Sequence, residues 1–413
     1  MRKSTLTLLG VAAAVSLAAG DRISRAADAP APMNHAGMQM NAAGPDVKIT
    51  DPTSVLMIVN RDSNDIAFMD LKTRKMVGKA FLGDNVNPHM VMMSPDGRYV
   101  VTGGTRANAA YIIDTATLKL VKKIPVDIAP EHLSFSPDSR WYYQGNPEGD
   151  SISVIDMQSL TKVKTIPGLA EPLNVTFTPD GSKAYVGNYG AHWVGVIDVK
   201  RHELLKRIQI SAPENRSQLD PERYLGEIKG INVAMPTPDS RYLFAADSDM
   251  GVVGIIDTRD DRVVKTIRVG KDPWRVYMGH DGKYAITPNN GDETISIIDV
   301  ANQKVAATLE AGPDMTGVNF AAGKAFVISS TSGFVYVYDM KTLKPAGRIK
   351  IGTNVQLETA TTDTADEKLY LADSTENAVV IIDAKTLAFE KVRNVGLYPW
   401  GTHIMDSKDN YCH

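Results

Sequence analysis

Eight times along the chain a run of apolar residues closes on an aspartate. These are Phe68-Met69-Asp70, Ile112-Ile113-Asp114, Val154-Ile155-Asp156, Val196-Ile197-Asp198, Ile255-Ile256-Asp257, Ile297-Ile298-Asp299, Val337-Tyr338-Asp339 and Ile381-Ile382-Asp383. The aspartates stand 44, 42, 42, 59, 42, 40 and 44 residues apart. After each comes a polar turn and then an alternating segment such as Val263 to Val269, the pattern of a half-buried strand. A further apolar strand follows, for example Pro273 to Met278, and ends at a tight turn. The turns are clearest at Ser94-Pro95-Asp96-Gly97, Ser136-Pro137-Asp138-Ser139, Thr178-Pro179-Asp180-Gly181 and Thr237-Pro238-Asp239-Ser240. Pro fixes φ at the second turn position and Asp bonds its own backbone, so each marks a hairpin.

Four short strands recurring every 40 to 45 residues predict an all-β chain folded as a β-propeller, one blade per repeat. Ahead of Asp70 there is room for Val55 to Val59 but for no inner strand, whereas Pro399 to Met405 remains after the last outer strand. That segment matches Pro273 to Met278 in type. The expectation is therefore eight four-stranded blades, with the C-terminal strand completing the N-terminal blade and leaving no open sheet edge. Seven blades plus a spare ribbon is the alternative.

The Ile-Asp endings, Thr-Ile-x-Val-Gly, Ser-Pro-Asp-Gly and Ala184-Tyr185-Val186-Gly187-Asn188 resemble the motifs of the bacterial YVTN-repeat (YncE-like) propellers, and the likeness covers nearly everything from Asp51 onward. These motifs build blades, so the resemblance implies architecture and, for function, a binding or scaffold propeller without catalysis. The blade count is also similar to that of haem d-binding propellers, a topological likeness only.

Met1-Arg2-Lys3 followed by the apolar stretch Leu6 to Ala19 reads as an export signal, so residues 1–27 are expected to be a signal peptide and the mature protein periplasmic or secreted. Residues 28–50 read as a disordered tail and 51–413 as a single propeller domain. A net charge of −3 gives no basic footprint for nucleic acid, and the remaining chain has no run of membrane-spanning length. The single cysteine, Cys412, excludes an internal disulfide.

Candidate chemistry lies in two places. In the tail, Met33, His35, Met38 and Met40 put three thioethers and an imidazole within eight residues, a soft donor set suited to Cu(I). On the rim that carries the inter-blade loops fall His89 just after Pro88, His132 two past Pro130, His192 in its loop and His403 four past Pro399. Trp274, Arg275 and Trp400 begin inner strands on that same rim, and the long repeat inserts Ser211 to Lys229 there. Clustered imidazoles suit a metal or a haem. Strand parity opposes a shared site, because His89 sits at an odd offset from its proline while His132 and His403 sit at even ones.

No Gly-x-Ser-x-Gly elbow, Walker loop or dinucleotide glycine pattern occurs. Three readings follow. The first is a non-catalytic binding or scaffold propeller that presents one rim to a periplasmic protein or small ligand. The second is a copper-handling or redox accessory protein that uses the tail and rim donors. The third is a haem d-type redox propeller.

Overall fold

The computed structural model describes residues 49–211 and 228–409. The chain divides into a segment Met1–Gly44, which lies outside the described residues with the Met33, His35, Met38 and Met40 group, and a unit Pro45–His413. Thirty-two strands among the described residues, β1–β32 in chain order, form eight four-stranded antiparallel sheets. Blade 1 is built from β1 (Val55–Asn60), β2 (Asp65–Asp70), β3 (Met76–Phe81) and the C-terminal β32 (Pro399–Ile404), in the order β3-β2-β1-β32. Blades 2 to 8 each use four consecutive strands. The ring therefore closes as the sequence predicts, with β32 running antiparallel to β1 as an inner strand.

Packing follows from the alternation along each strand. In β1, Met57 and Val59 pack with Val91 and Tyr111 of blade 2, while Leu56 and Ile58 pack with Tyr370 and Ile381 of blade 8. Both faces of the strand are thus buried, which is why the run reads as continuously apolar. Eight such apolar clusters fill the eight blade-to-blade seams. The outer strands are the exposed ones: Leu120 to Lys123 and Thr161 to Lys164 face solvent.

The recurring aspartate has a local job. Asp70 accepts a hydrogen bond from the Thr73 backbone N–H at 2.6 Å and from its hydroxyl at 2.7 Å, and Asp114, Asp339 and Asp383 do the same with Thr117, Thr342 and Thr386. Four residues after each of the eight aspartates a non-glycine residue is left-handed, from Arg74 at φ 59° to Leu387 at φ 65°. The carboxylate offsets the cost of that conformation by tying down the turn.

Beyond β32 the chain crosses to other blades. The buried Asp409 carboxylate accepts from the Phe320 backbone N–H at 2.6 Å, from the Thr362 hydroxyl at 3.0 Å and from His280 Nε2 at 2.8 Å. Its backbone carbonyl accepts from Asn319 Nδ2 at 3.4 Å. His280 Nδ1 stands 3.3 Å from Asp366. This clasp joins blades 6, 7 and 8 on the rim opposite the inter-blade loops.

Candidate functional site

Each inner strand enters at an equivalent position: Pro88, Pro130, Pro172, Ile231, Pro273, Met315, Leu357 and Pro399. The next two residues therefore form two tiers around the central channel, near the rim of the inter-blade loops. The first tier carries His89, Glu131, Leu173, Asn232, Trp274, Thr316, Glu358 and Trp400. In the second lie Met90, His132, Asn174, Val233, Arg275, Gly317, Thr359 and Gly401.

On blades 2 and 3 the tiers meet. The donor atoms of His89, Glu131 and His132 all lie within 4.8 Å of one another. Both imidazoles are buried, with ring centroids 5.6 Å apart. Strict alternation would have separated them. The pairing of β4 (Pro88–Met93) with β5 (Tyr99–Gly104) instead shifts register between Pro88 and Val91, and this irregularity breaks the parity count.

Small residues allow the close approach. A Cβ on Gly103 in β5 would stand 2.8 Å from the Pro130 carbonyl and 2.9 Å from Gln144 Oε1. A Cβ on Gly145 would stand 3.0 Å from the Pro172 and Leu173 carbonyls. The His132 carbonyl accepts from the Gly145 N–H at 2.7 Å and from Gln144 Nε2 at 2.9 Å, which fixes the backbone of the second imidazole.

Trp400 forms the adjoining wall. Its ring lies 5.5 Å from His89, the Arg61 guanidinium sits 4.3 Å from its centroid, and Tyr398 stacks on it at 6.0 Å. Asn87 accepts from Arg61 Nη2 at 2.7 Å and Nε at 3.2 Å, which holds the cation over the indole. Burial pushes the Glu131 carboxyl up to about 7, only partly opposed by the positive charge of Arg61. A half-buried carboxyl beside two buried imidazoles is the arrangement that a bound cation would convert to a stable carboxylate.

Arg275 and Trp274 lie on blade 6, across the ring from His89 on blade 2. Arg275 is wholly buried and its guanidinium approaches the Tyr277 ring at 5.7 Å. Beside it on blade 5, Asn232 is also wholly buried, and neither its side-chain oxygen nor its nitrogen has a hydrogen-bond partner among the described residues. Asn232 and Arg275 are 43 residues apart at the same two tier positions as His89 and His132. Trp274 packs edge-on to Tyr189 at 5.7 Å.

His192 and His403 are placed elsewhere. His192 Nδ1 lies 3.0 Å from both carboxylate oxygens of Asp247, which also accepts from the Ser211 hydroxyl, and hydrogen bonding to that carboxylate raises its pKa. His403 sits two residues past the second tier on β32, and complete burial pushes its pKa down to about 3. Neither belongs to the three-donor group. Of the insertion, residues 212–227 lie outside the described residues. Sequence reasoning missed Glu131, Arg61, Asn87 and Asn232. The 42-residue offset from His89 lands on Glu131 and would have found it.

No protein-family model matches the chain, and no curated protein does either. Among solved structures the chain is similar to the dihydro-heme d1 dehydrogenase NirN in complex with DHE, at 20% identity and a TM-score of 0.70, covering 86% of this chain and 76% of that one. It is also similar to the hydrazine synthase of Kuenenia stuttgartiensis, at 22% identity and TM-score 0.55 over 74% of this chain and 97% of that one. A functionally unknown protein from Desulfotomaculum acetoxidans matches at 12% identity and TM-score 0.55, over 85% and 98% of the two chains. At these identities the likeness is one of fold: this chain is an eight-bladed β-propeller similar to that of NirN.

Proposed function

We propose that the protein is an exported binding propeller that takes a small anionic ligand into the channel at the rim of the inter-blade loops. One observation carries this reading: Asn232, wholly buried, presents a side-chain amide with no partner among the described residues, and the neighbouring blade carries the wholly buried cation Arg275 at the next tier position. Burying an amide without hydrogen bonds costs about 1–3 kcal/mol by mutational scales, and a buried guanidinium favours an oxyanion held bidentately. Trp274 adds flat apolar surface at the same level. The N-terminal signal pattern and the YVTN-like motifs support export and a non-catalytic role.

The reading is tested by calorimetric titration of the purified protein with a panel of mono-, di- and tricarboxylates, including succinate and citrate. At least one should bind, and Arg275→Gln should weaken it by tenfold or more while the melting temperature holds. Absence of binding across the panel, or unchanged binding by Arg275→Gln, would overturn the reading.

A second reading has its own support. NirN was solved with DHE, and a tetrapyrrole combines a flat face, carboxylate side chains and a metal centre. The residues present fit such a group: Trp274 offers a flat surface, Arg275 a carboxylate partner, and His89 and His132 imidazole donors. When bound it would supply redox chemistry, with this chain binding and orienting it. An absorption spectrum of the protein taken from its native periplasm separates the two readings, since only a tetrapyrrole gives strong bands in the visible.

A further inference from the structure

The geometry points to a binding site for one divalent first-row transition metal ion, held by His89, Glu131 and His132. Three donors from two neighbouring blades lie within 4.8 Å of one another, His89 in β4 and Glu131 and His132 in the segment that leads directly into the inner strand Leu133–Phe135 of blade 3. A four-coordinate ion with metal–nitrogen bonds of about 2.0–2.1 Å needs donors about 3.4 Å apart, so side-chain rotations of an ångström or so complete the site. Two imidazoles and one carboxylate select borderline ions such as Zn(II), Co(II), Fe(II) or Cu(II) over hard Mg(II) and Ca(II), and over soft Cu(I). The site is thus distinct in chemistry from the thioether-rich Met33, His35, Met38 and Met40 group.

The surroundings behave as an outer shell. Gln144 and the Gly145 N–H both bond the His132 carbonyl, and Gln144 accepts from the Tyr142 hydroxyl, so the backbone that carries the second imidazole, just ahead of Leu133–Phe135, is held from behind. Trp400 closes one side of His89. Arg61 lies close enough for its charge to act on Glu131. Three protein donors leave at least one coordination position for a further donor, and Arg275 and Asn232 are carried by inner-strand entries of the same ring, on blades 6 and 5. The proposal deepens the binding reading of the same mouth: the ligand would be an anion that also offers the metal a donor atom.

The test uses the full-length protein dialysed against a chelator and then titrated with Co(II), followed by its visible d–d bands, with Zn(II) competition in a second series. One equivalent of Co(II) should bind with micromolar or tighter affinity and be displaced by one equivalent of Zn(II). His89→Ala and His132→Ala should each weaken binding at least tenfold, about 1.4 kcal/mol, and change the band pattern. Because Glu131→Gln keeps the shape of the side chain, it serves as the variant least able to disturb folding and should also weaken binding at least tenfold. Replacing the three tail methionines by Leu should leave the Co(II) isotherm unchanged. Failure of the wild-type protein to bind Co(II) or Zn(II), or undiminished binding by Glu131→Gln and His132→Ala, would overturn the metal site. Carboxylate binding by chelator-treated protein would then still stand, so the failure of one proposal is separable from that of the other.

Discussion

Replacing Asp409 by Ala removes the carboxylate that ties the C-terminal segment to blades 6, 7 and 8. The substitution strands the Phe320 N–H, the Thr362 hydroxyl and the imidazole of His280, all of which donate to Asp409 in the fold. Deleting one member of a buried charged pair costs about 3–5 kcal/mol. An unfolding entropy of about 2.1 cal/mol/K per residue over the roughly 370 residues of the propeller unit gives about 0.8 kcal/mol/K, so the melting temperature should fall by about 4–6 °C. Asp409→Asn keeps an acceptor oxygen and should lose less. The pair also has a pH signature. Burial alone would lower the His280 pKa, but the hydrogen bond and charge of Asp409, with the charge of Asp366, raise it on balance. A raised folded-state pKa contributes stability that is complete below the unfolded value near 6.5 and is lost as the pH rises through the folded value. The gap between wild type and Asp409→Asn should accordingly narrow between pH 6 and pH 9 in calorimetric scans. A melting temperature of Asp409→Ala within 1 °C of wild type, with no pH-dependent gap, would refute the clasp.

Truncation after Gly396 deletes β32 and with it Ile404 from the seam between blades 8 and 1, so cooperative melting followed by circular dichroism should be lost or shifted far down. Gly103→Ala forces a methyl to 2.8 Å from the Pro130 carbonyl; overpacking of this kind costs about 1–3 kcal/mol, and displacement of the Pro130–His132 segment should weaken Co(II) binding as well. A peptide spanning Ala31 to Asn41 should compete with a colorimetric Cu(I) chelator, and the version with Met33, Met38 and Met40 replaced by Leu should not.

The architecture was legible because the propeller writes itself into the chain as period and punctuation. Each aspartate that ends an apolar run closes the same turn, and the unpaired count of strands at the two ends favoured a C-terminal strand completing blade 1 over seven blades plus a spare ribbon, which is the closure the fold adopts. The channel chemistry was less legible. Parity assigned His89 and His132 to opposite directions, and only the register shift between Pro88 and Val91 brings them together; nothing in the local residues announces such a shift. Glu131 stands at the position of His89 one repeat later, but a lone acidic residue attracts no notice until the repeats are aligned on their prolines. Asn232 escaped because the insertion moves its repeat by 17 residues and Ile231 replaces the proline that marks the other entries. Arg61 and Asn87 act from loops outside the tiers. The Asp409 clasp reaches residues 47 to 129 positions away in sequence, a separation that no local pattern encodes.

The most direct measurement is anomalous diffraction from crystals of the full-length protein grown with Zn(II), with data collected above and below the zinc absorption edge. One strong difference peak should appear about 2.0–2.2 Å from a nitrogen of His89, a nitrogen of His132 and a carboxylate oxygen of Glu131. A well-diffracting crystal with no peak at that position, or with peaks only at His192 or on the outer strands, would contradict it.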